Sequence, residues 1–157
     1  MEINSFTGKY SFLSNFAPCL IYYPNSPDGA IYPSVEHAYQ AAKTDDSAER
    51  TVIRLAPTPG AARRLGRKVT LRPDWEEIKT KVMLDLLRQK FGSDTYRSRL
   101  IGTSDAHLVE GNYWHDQTWG DCYCLGHSEV AGANLLGELI EQVRAEVSSA
   151  ESAHVDS

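Results

Sequence analysis

The chain has 157 residues, of which 41% are hydrophobic and 24% charged, and its formal net charge is -5. This length fits one compact domain with one core, and the acidic balance argues against a protein that coats long nucleic acid. No apolar run approaches the roughly 20 residues needed to cross a membrane, and the start MEINSFTGKY does not resemble a signal peptide. Three cysteines without a secretion signal predict reduced thiols and a cytoplasmic location.

The first forty residues carry the strand signals. Tyr10, Phe12 and Leu13 predict the beginning of one strand, and residues 20–23 predict another. The turn-forming sequence PNSPDG (24–29) should connect the second strand to Ile31 and Tyr32 as a hairpin.

Helical periodicity and capping residues account for most of the remaining chain. The predicted helices run over 35–43, 47–55, 59–66, 74–91, 93–101 and 134–147. The fold class is therefore α+β, a helix-rich single domain over 1–147 with a small N-terminal β-element. The polar tail 148–157 is predicted to be disordered.

The segment SVEHAYQAAK (34–43) places three polar side chains on one helical face. Glu36, Gln40 and Lys43 follow i, i+4, i+7 spacing, and Tyr39 adjoins them. Glu36 falls in the first turn, where the helix dipole favours an anion. Spacing alone favours a solvated acid on an amphipathic helix.

The loop-rich stretch 111–132 contains two tryptophans, two cysteines and two histidines. Aromatic faces can stack on a nucleobase, and Gly111 and Gly120 would allow close backbone approach to a ligand. A loop that covers the core and is anchored by its tryptophans explains the composition equally well. Long irregular segments in compact domains are usually functional.

Four side chains of this stretch, His115, Cys122, Cys124 and His127, raise the question of zinc. The Cys-x-Cys spacing is tighter than the usual Cys-x2-Cys, and no second pair follows. We therefore expect no metal, and nothing in the sequence marks either thiol as an activated nucleophile.

A basic cluster of Arg63, Arg64, Arg67 and Lys68 ends the predicted helix over 59–66. A solvated helix surface explains the cluster as a whole. Arginine forks also suit phosphate oxygens, which leaves room for one or two of them to face a phosphate.

Seven segments in order resemble the NADAR family, which includes the YbiA-like N-glycosidases, and the resemblance covers about residues 6 to 145. No single motif is decisive, but seven in register are specific. They are FLSNF (12–16), PSVEHAYQAAK (33–43), AARRLGR (61–67), Trp75 with Lys79 and Met83, LVE (108–110), WGD (119–121) and GANLLG (132–137).

The resemblance implies a helix-rich α+β fold and cleavage of a ribose C1–N bond without metal or cofactor. Glu36 matches the family's catalytic glutamate, and Asp121 is its expected partner in catalysis. Our reading of the matched segments gives a set of expected substrate-binding residues: Asn15, Phe16, Tyr39, Gln40, Lys43, Arg64, Trp75, Trp119 and Gly120.

The insertion NYWHDQT (112–118) ahead of Trp119 departs from the riboflavin-pathway members. It resembles the branch that removes ADP-ribose from guanine in partnership with guanine-modifying toxins. We therefore expect ADP-ribosylated guanine as substrate, in nucleotides or with limited contact to modified DNA. The alternatives are a ribosylaminopyrimidine intermediate of riboflavin synthesis and a module that binds ADP-ribose without turnover.

Overall fold

The computed structural model of the chain describes residues 1–22 and 29–155. The helices are α1 (Val35–Ala42), α2 (Ser47–Arg54), α3 (Pro59–Gly66), α4 (Trp75–Lys90), α5 (Asp94–Ile101) and α6 (Leu135–Val155). The strands are β1 (Glu2–Ile3), β2 (Ile21–Tyr22), β3 (Ile31–Tyr32), β4 (His107–Leu108), β5 (Gly111–Asn112) and β6 (Asp121–Cys122). The prediction of a helix-rich α+β fold is confirmed.

The chain forms two compact units, and we describe each by itself. We call Asn15–Lys90 the Glu36 unit, and Met1–Ser14 together with Phe91–Ser157 the Asp121 unit.

In the Glu36 unit, α1 packs against α2, α3 and α4. All eight residues of α1 are buried, because alanines and Val35 allow close approach of its neighbours. The helix bounds agree with the predicted ones to within two residues, and the predicted caps are present: Ser34 accepts from the His37 amide, and Thr58 from the Ala61 amide.

The predicted hairpin is present as the antiparallel pair β2–β3, in which Ile21 faces Tyr32. Of its predicted turn only Gly29 is described, with a left-handed φ of 61°. The predicted positions 23–28 lie outside the described residues.

The strand predicted at Tyr10, Phe12 and Leu13 is wrong, because Gly8–Leu13 forms a 3-10 helix. Gly8 has a φ of 57°, which turns the chain before the apolar residues begin. Phe12 and Leu13 are adjacent and both buried, which a strand packed on the core by one face alone would not allow.

In the Asp121 unit, α5 and α6 pack on each other, and β4 lies against α6. The first strand β1 pairs in parallel with β4, and β5 pairs in parallel with β6. The sequence did not predict these two-residue strands, since so short a strand leaves no periodic signal.

The final helix α6 extends to Val155 instead of ending near Val147, so the tail predicted to be disordered is helical over 148–155. Its alanine, serine and glutamate residues contain no helix breaker. Glu151 also pairs with Arg97 of α5 at 3.4 Å. Across the described ranges, no helix is long and apolar enough to span a membrane.

Candidate active site

Glu36 is placed by the N-terminal turn of α1. Ser34 caps the helix with its side chain, which accepts from the His37 amide at 3.1 Å. The Glu36 amide donates to the Asn15 carbonyl at 3.1 Å, so the segment carrying Asn15 crosses the start of the helix. The Glu36 side chain therefore extends from a turn whose backbone is held by hydrogen bonds on both sides.

His37, next to Glu36, has a structural role. Its Nε2 donates to the Ala56 carbonyl at 3.0 Å, since a carbonyl oxygen only accepts. Its Nδ1 lies 2.7 Å from the Ser34 hydroxyl. With both ring nitrogens occupied, His37 fixes the first turn of α1.

The Glu36 side chain is buried, with 3% of its surface exposed. Gln40 Nε2 donates to Glu36 Oε1 at 2.8 Å, and Arg63 Nε donates to the same oxygen at 3.1 Å. Within 1–22 and 29–155, Oε2 has no hydrogen-bond partner. The solvated acid that spacing favoured is therefore wrong: this carboxylate is enclosed, with one oxygen held and the other unpaired.

Arg63 is the residue that the sequence interpretation missed. Arg64 was expected in the site, but it is exposed on α3, whereas Arg63 pairs with Glu36 and stacks on the Phe16 ring at 4.7 Å. The sequence feature that could have identified Arg63 is the pair Ala62 and Gly66, both of which are buried. Small residues at i, i+4 mark the face of α3 that packs closely, and Arg63 borders that face.

Gly66 allows α3 to approach Gln40. A Cβ atom at this position would lie 2.0 Å from Gln40 Oε1 and 3.0 Å from Gln40 Cβ. The glycine therefore leaves the space in which Gln40 reaches Glu36.

Two of the expected binding residues have a buried acceptor without a partner in the described part of the chain. They are Asn15 Oδ1 and Gln40 Oε1. The Asn15 amide group donates weakly to Met83 Sδ at 3.6 Å. An unpaired buried acceptor is costly, so these oxygens are suited to accept from a ligand or from water.

Tyr39 and Trp75 form an aromatic pair, with ring centroids 5.2 Å apart and planes inclined at 57°. Trp75 is only 4% exposed. The Lys43 ammonium lies 5.7 Å from the centroid of the Tyr39 ring. The four residues expected on and just after α1 thus form two contacting pairs, Glu36 with Gln40 and Tyr39 with Lys43.

Positive charge is concentrated around Lys43. Burial lowers the pKa of its ammonium, and the neighbouring Glu36 carboxylate acts in the opposite direction. Arg67, Arg63 and Lys79 lower the pKa further by repulsion, so that it lies below the usual lysine value.

Trp119, Gly120 and Asp121 are fixed in the Asp121 unit by backbone contacts. Asp121 Oδ1 accepts from the Gly132 amide at 2.9 Å, and the Trp119 carbonyl accepts from the Leu136 amide at 3.1 Å. A Cβ atom on Gly120 would lie 2.2 Å from the Glu110 carbonyl oxygen. Gly120 is therefore needed for backbone packing, which explains its presence without a ligand.

The same unit gathers the side chains considered for zinc. Ligand atoms of His115, Cys122, Cys124 and His127 all lie within 4.8 Å of one another. Desolvation raises the pKa of the Cys122 thiol, but hydrogen bonds with Cys124, His127 and nearby backbone lower it to about 6. The residues expected around Glu36 thus lie in one unit, and Trp119, Gly120 and Asp121 lie in the other.

Comparison with known proteins decides the family. A model of the NADAR domain matches residues 4–148. N-glycosidase YbiA of Escherichia coli is 38% identical over 143 residues, which cover 89% of this chain and 83% of that protein. The NMR structure of E. coli YbiA superposes with a TM-score of 0.77 at 35% identity, covering 96% of this chain and 86% of the other.

The chain belongs to the NADAR family. The predicted fold of the YbiA-like type is confirmed by the same structural match. A riboflavin biosynthesis protein of Vibrio vulnificus is also 35% identical over 142 residues, covering 88% of this chain and 36% of that longer protein.

Several residues of the NADAR motifs in this chain stabilise its fold. Asn134 Nδ2 donates to the Leu108 carbonyl at 2.9 Å, and Asn134 Oδ1 accepts from the Glu110 amide at 3.0 Å. A Cβ atom on Gly137 would lie 2.0 Å from the Leu108 carbonyl oxygen. The motif over 132–137 therefore joins the start of α6 to the chain after β4.

Proposed function

We propose that this chain hydrolyses the bond between ribose C1 and guanine in ADP-ribosylated guanine, releasing ADP-ribose. The chain is a hydrolase of N-glycosyl bonds, the class to which its YbiA relative is assigned by name. The proposal concerns the identity of the substrate, as a free nucleotide or in modified DNA, and the cytoplasmic location of the protein.

The observation that supports the proposal is the hydrogen bonding of the Glu36 carboxylate. Gln40 and Arg63 hold Oε1, and Oε2 is left to act on a reactant. Hydrolysis at an anomeric carbon develops oxocarbenium character, which a fixed carboxylate stabilises.

In the proposed step, Glu36 Oε2 accepts a proton from water as the water oxygen bonds to ribose C1. The C1–N bond breaks, and its electron pair goes to the guanine nitrogen. That nitrogen takes up one proton from solvent, and Glu36 releases to solvent the proton that it took from water. One carboxylate thus serves as base for water and as the negative charge beside the ribose.

The charge around Glu36 supports a phosphate-bearing substrate. Lys43 is half-buried near Arg63, Arg67 and Lys79, and the Glu36 carboxylate is the anion that acts on it. Lys79 is itself paired with Glu76 at 2.7 Å. The remaining excess of positive charge suits the pyrophosphate of ADP-ribose.

Asp121 and Trp119 enter the proposal through the family resemblance. We propose that Asp121 positions a ribose hydroxyl or assists proton transfer, and that Trp75 and Trp119 exclude water or stack on the base. Asp121 Oδ1 is oriented by the Gly132 amide, which suits a carboxylate of fixed direction.

A second candidate substrate is a ribosylaminopyrimidine intermediate of riboflavin synthesis. The observation that favours it is the 35% identity to the riboflavin biosynthesis protein of V. vulnificus. A phosphorylated form of this substrate would fit the charge around Lys43 as well.

The experiment compares the two N-ribosides side by side. Full-length protein is incubated with ADP-ribosylated guanine nucleotide, with the same modification in an oligonucleotide, and with the ribosylaminopyrimidine phosphate. Free ADP-ribose or ribose phosphate is measured by mass spectrometry. We expect kcat/KM to be highest for an ADP-ribosylated guanine; a higher value for the pyrimidine would overturn the substrate assignment.

Glu36→Gln tests the mechanism independently of the substrate. The variant should lose about 10²–10⁴-fold in kcat, the range for a general base, with little change in thermal melt. Glu77→Gln is the matched control, because Glu77 is exposed in the first turn of α4. A Glu36→Gln protein as active as the control rules out the proposed role of Glu36.

A further inference from the structure

Four metal-ligating side chains that the N-glycosidase reaction does not use lie together in the Asp121 unit. Cys124 Sγ lies 3.1 Å from Cys122 Sγ, 3.3 Å from His115 Nδ1 and 3.1 Å from His127 Nδ1. Cys122 Sγ is 4.0 Å from His115 Nδ1. Cys124 is therefore at the centre of a cluster of two sulfur and two nitrogen atoms.

The size of this cluster matches a tetrahedral zinc site. Zinc–sulfur bonds of about 2.3 Å and zinc–nitrogen bonds of about 2.0–2.1 Å give tetrahedron edges of about 3.3–3.8 Å. Four of the six distances between the ligand atoms lie between 3.1 and 4.0 Å, and all six are within 4.8 Å.

The fold explains why the tight Cys-x-Cys spacing does not prevent a site. The parallel pairing of Asn112 with Cys122 brings the segment holding His115 beside the cysteines. His115 has a left-handed φ of 70°, a conformation that a non-glycine residue rarely adopts. Strand pairing thus brings in His115 from outside the cysteine segment.

The other histidine comes from the turn that follows. Leu125–His127 forms a 3-10 helix, and the His127 amide donates to the Cys124 carbonyl at 3.1 Å. This turn folds His127 Nδ1 back onto the Cys124 sulfur. Our expectation of no metal relied on linear spacing, which takes no account of either contact.

Burial and ligand chemistry favour a structural zinc ion over a reactive thiol. Cys122 is buried, Cys124 and His127 are half-buried, and His115 is exposed; burial of Cys122 hinders a nucleophile but suits a metal ligand. Two thiolates and two imidazoles form the soft donor set that selects zinc in a tetrahedral site. Four protein ligands leave no open position, as in sites that stabilise a fold.

We propose that His115, Cys122, Cys124 and His127 bind one Zn²⁺ in a closed structural site. Binding replaces the two thiol protons, and the two thiolates neutralise the ion. The ion would join the chain after β5 to the chain after β6 and so brace the loop that holds Trp119 and Asp121. This inference does not depend on the proposed substrate.

Metal content of the full-length protein is the first test. Protein purified without chelator and passed over a desalting column should contain one zinc per chain by elemental mass spectrometry. Cys124→Ser and His127→Gln should each lose the ion, whereas Cys19→Ser and His107→Gln should keep it. Cys19 and His107 lie outside the cluster and serve as matched controls.

Cobalt provides a test that needs no variant. Reduced, metal-free wild-type protein titrated with Co²⁺ alone should show intense d–d bands of four-coordinate cobalt and a thiolate-to-cobalt charge-transfer band at one equivalent. A chelator should lower the melting temperature of the wild type but not that of Cys124→Ser.

Three results would overturn the zinc proposal: substoichiometric zinc in the wild type, no cobalt spectrum on the reduced protein, or a Cys122–Cys124 disulfide in intact mass. The Glu36→Gln variant separates this proposal from the proposed function. It should be inactive and still contain one zinc per chain.

Discussion

The helix that carries Glu36 and the segment that carries Asp121 are stabilised by different means. Helix α1 is buried against three other helices, so packing of small residues fixes the Glu36 side chain. The segment 110–134 contains only two-residue strands and one short 3-10 helix. Buried polar side chains and glycines fix its course instead.

Asn112 illustrates the second mode. Its Oδ1 accepts from the amides of Trp114 and Asp116, and its Nδ2 donates to the Asp116 carbonyl at 2.8 Å. Gln117 acts similarly, since it bonds the Cys122 amide and the Val130 carbonyl. A substitution near α1 should therefore mainly change catalytic activity, whereas a substitution in the segment 110–134 should mainly change the free energy of unfolding.

The largest effect on stability is expected from Asn112→Ala, which leaves buried amides and a carbonyl without partners. Each such group costs about 1–3 kcal/mol, so we expect a loss of about 2–4 kcal/mol in the free energy of unfolding. Urea unfolding measures it. Asn4→Ala, at an exposed asparagine, should cost less than about 0.5 kcal/mol. Equal midpoints for the two variants would contradict this role of Asn112.

The next largest effect is expected at the adjacent residues Arg63 and Arg64 of α3. Arg63→Gln removes the charged donor to Glu36 Oε1, worth about 1.5–3 kcal/mol, so kcat/KM should fall about 10–100-fold. Arg64→Gln should stay within about twofold of wild type, because Arg64 is exposed. Steady-state rates of N-riboside hydrolysis measure both. A larger loss for Arg64→Gln than for Arg63→Gln would support the predicted role of Arg64 in binding and contradict that of Arg63.

Arg63 and Arg64 also show which features of the fold the sequence predicts. Periodicity and capping residues predicted the bounds of α1 to α5 to within two residues, and side-chain caps are present at Ser34 and Thr58. They did not predict which of two neighbouring arginines faces Glu36. That choice depends on the rotation of α3 about its axis, set by its packing on α1 at Gly66.

The Asp121 segment was less predictable for a related reason. The sequence flagged 111–132 as unusual from its aromatic residues, cysteines and histidines, yet its strands are two residues long. Their pairing depends on tertiary hydrogen bonds, such as those of Asn134, and no local pattern records such bonds. Family resemblance placed Asp121 among the site residues, and its role there remains a prediction.

Gly66→Ala tests whether close packing holds Gln40 in place. The added Cβ would lie 2.0 Å from Gln40 Oε1, so Gln40 should turn aside and lose its bond to Glu36. We expect kcat/KM to fall about 3–10-fold, the value of one hydrogen bond. Gly60→Ala, in the same helix, meets nothing closer than 3.8 Å and should leave activity unchanged. Unchanged activity in both variants would show that Gln40 is dispensable.

The smallest expected effect is on pH dependence through Lys43. Its pKa lies below the usual 10.5, chiefly through burial, with repulsion from Arg67 and other cations, so its charge is lost at lower pH than in ordinary lysines. For a phosphate-bearing substrate, kcat/KM should therefore fall a few-fold as pH rises through that lowered pKa. Lys43→Arg should flatten this alkaline limb, because arginine stays charged. Lys68→Arg, at an exposed lysine, should retain it. Identical alkaline limbs in wild type and Lys43→Arg would mean that Lys43 does not bind the phosphate.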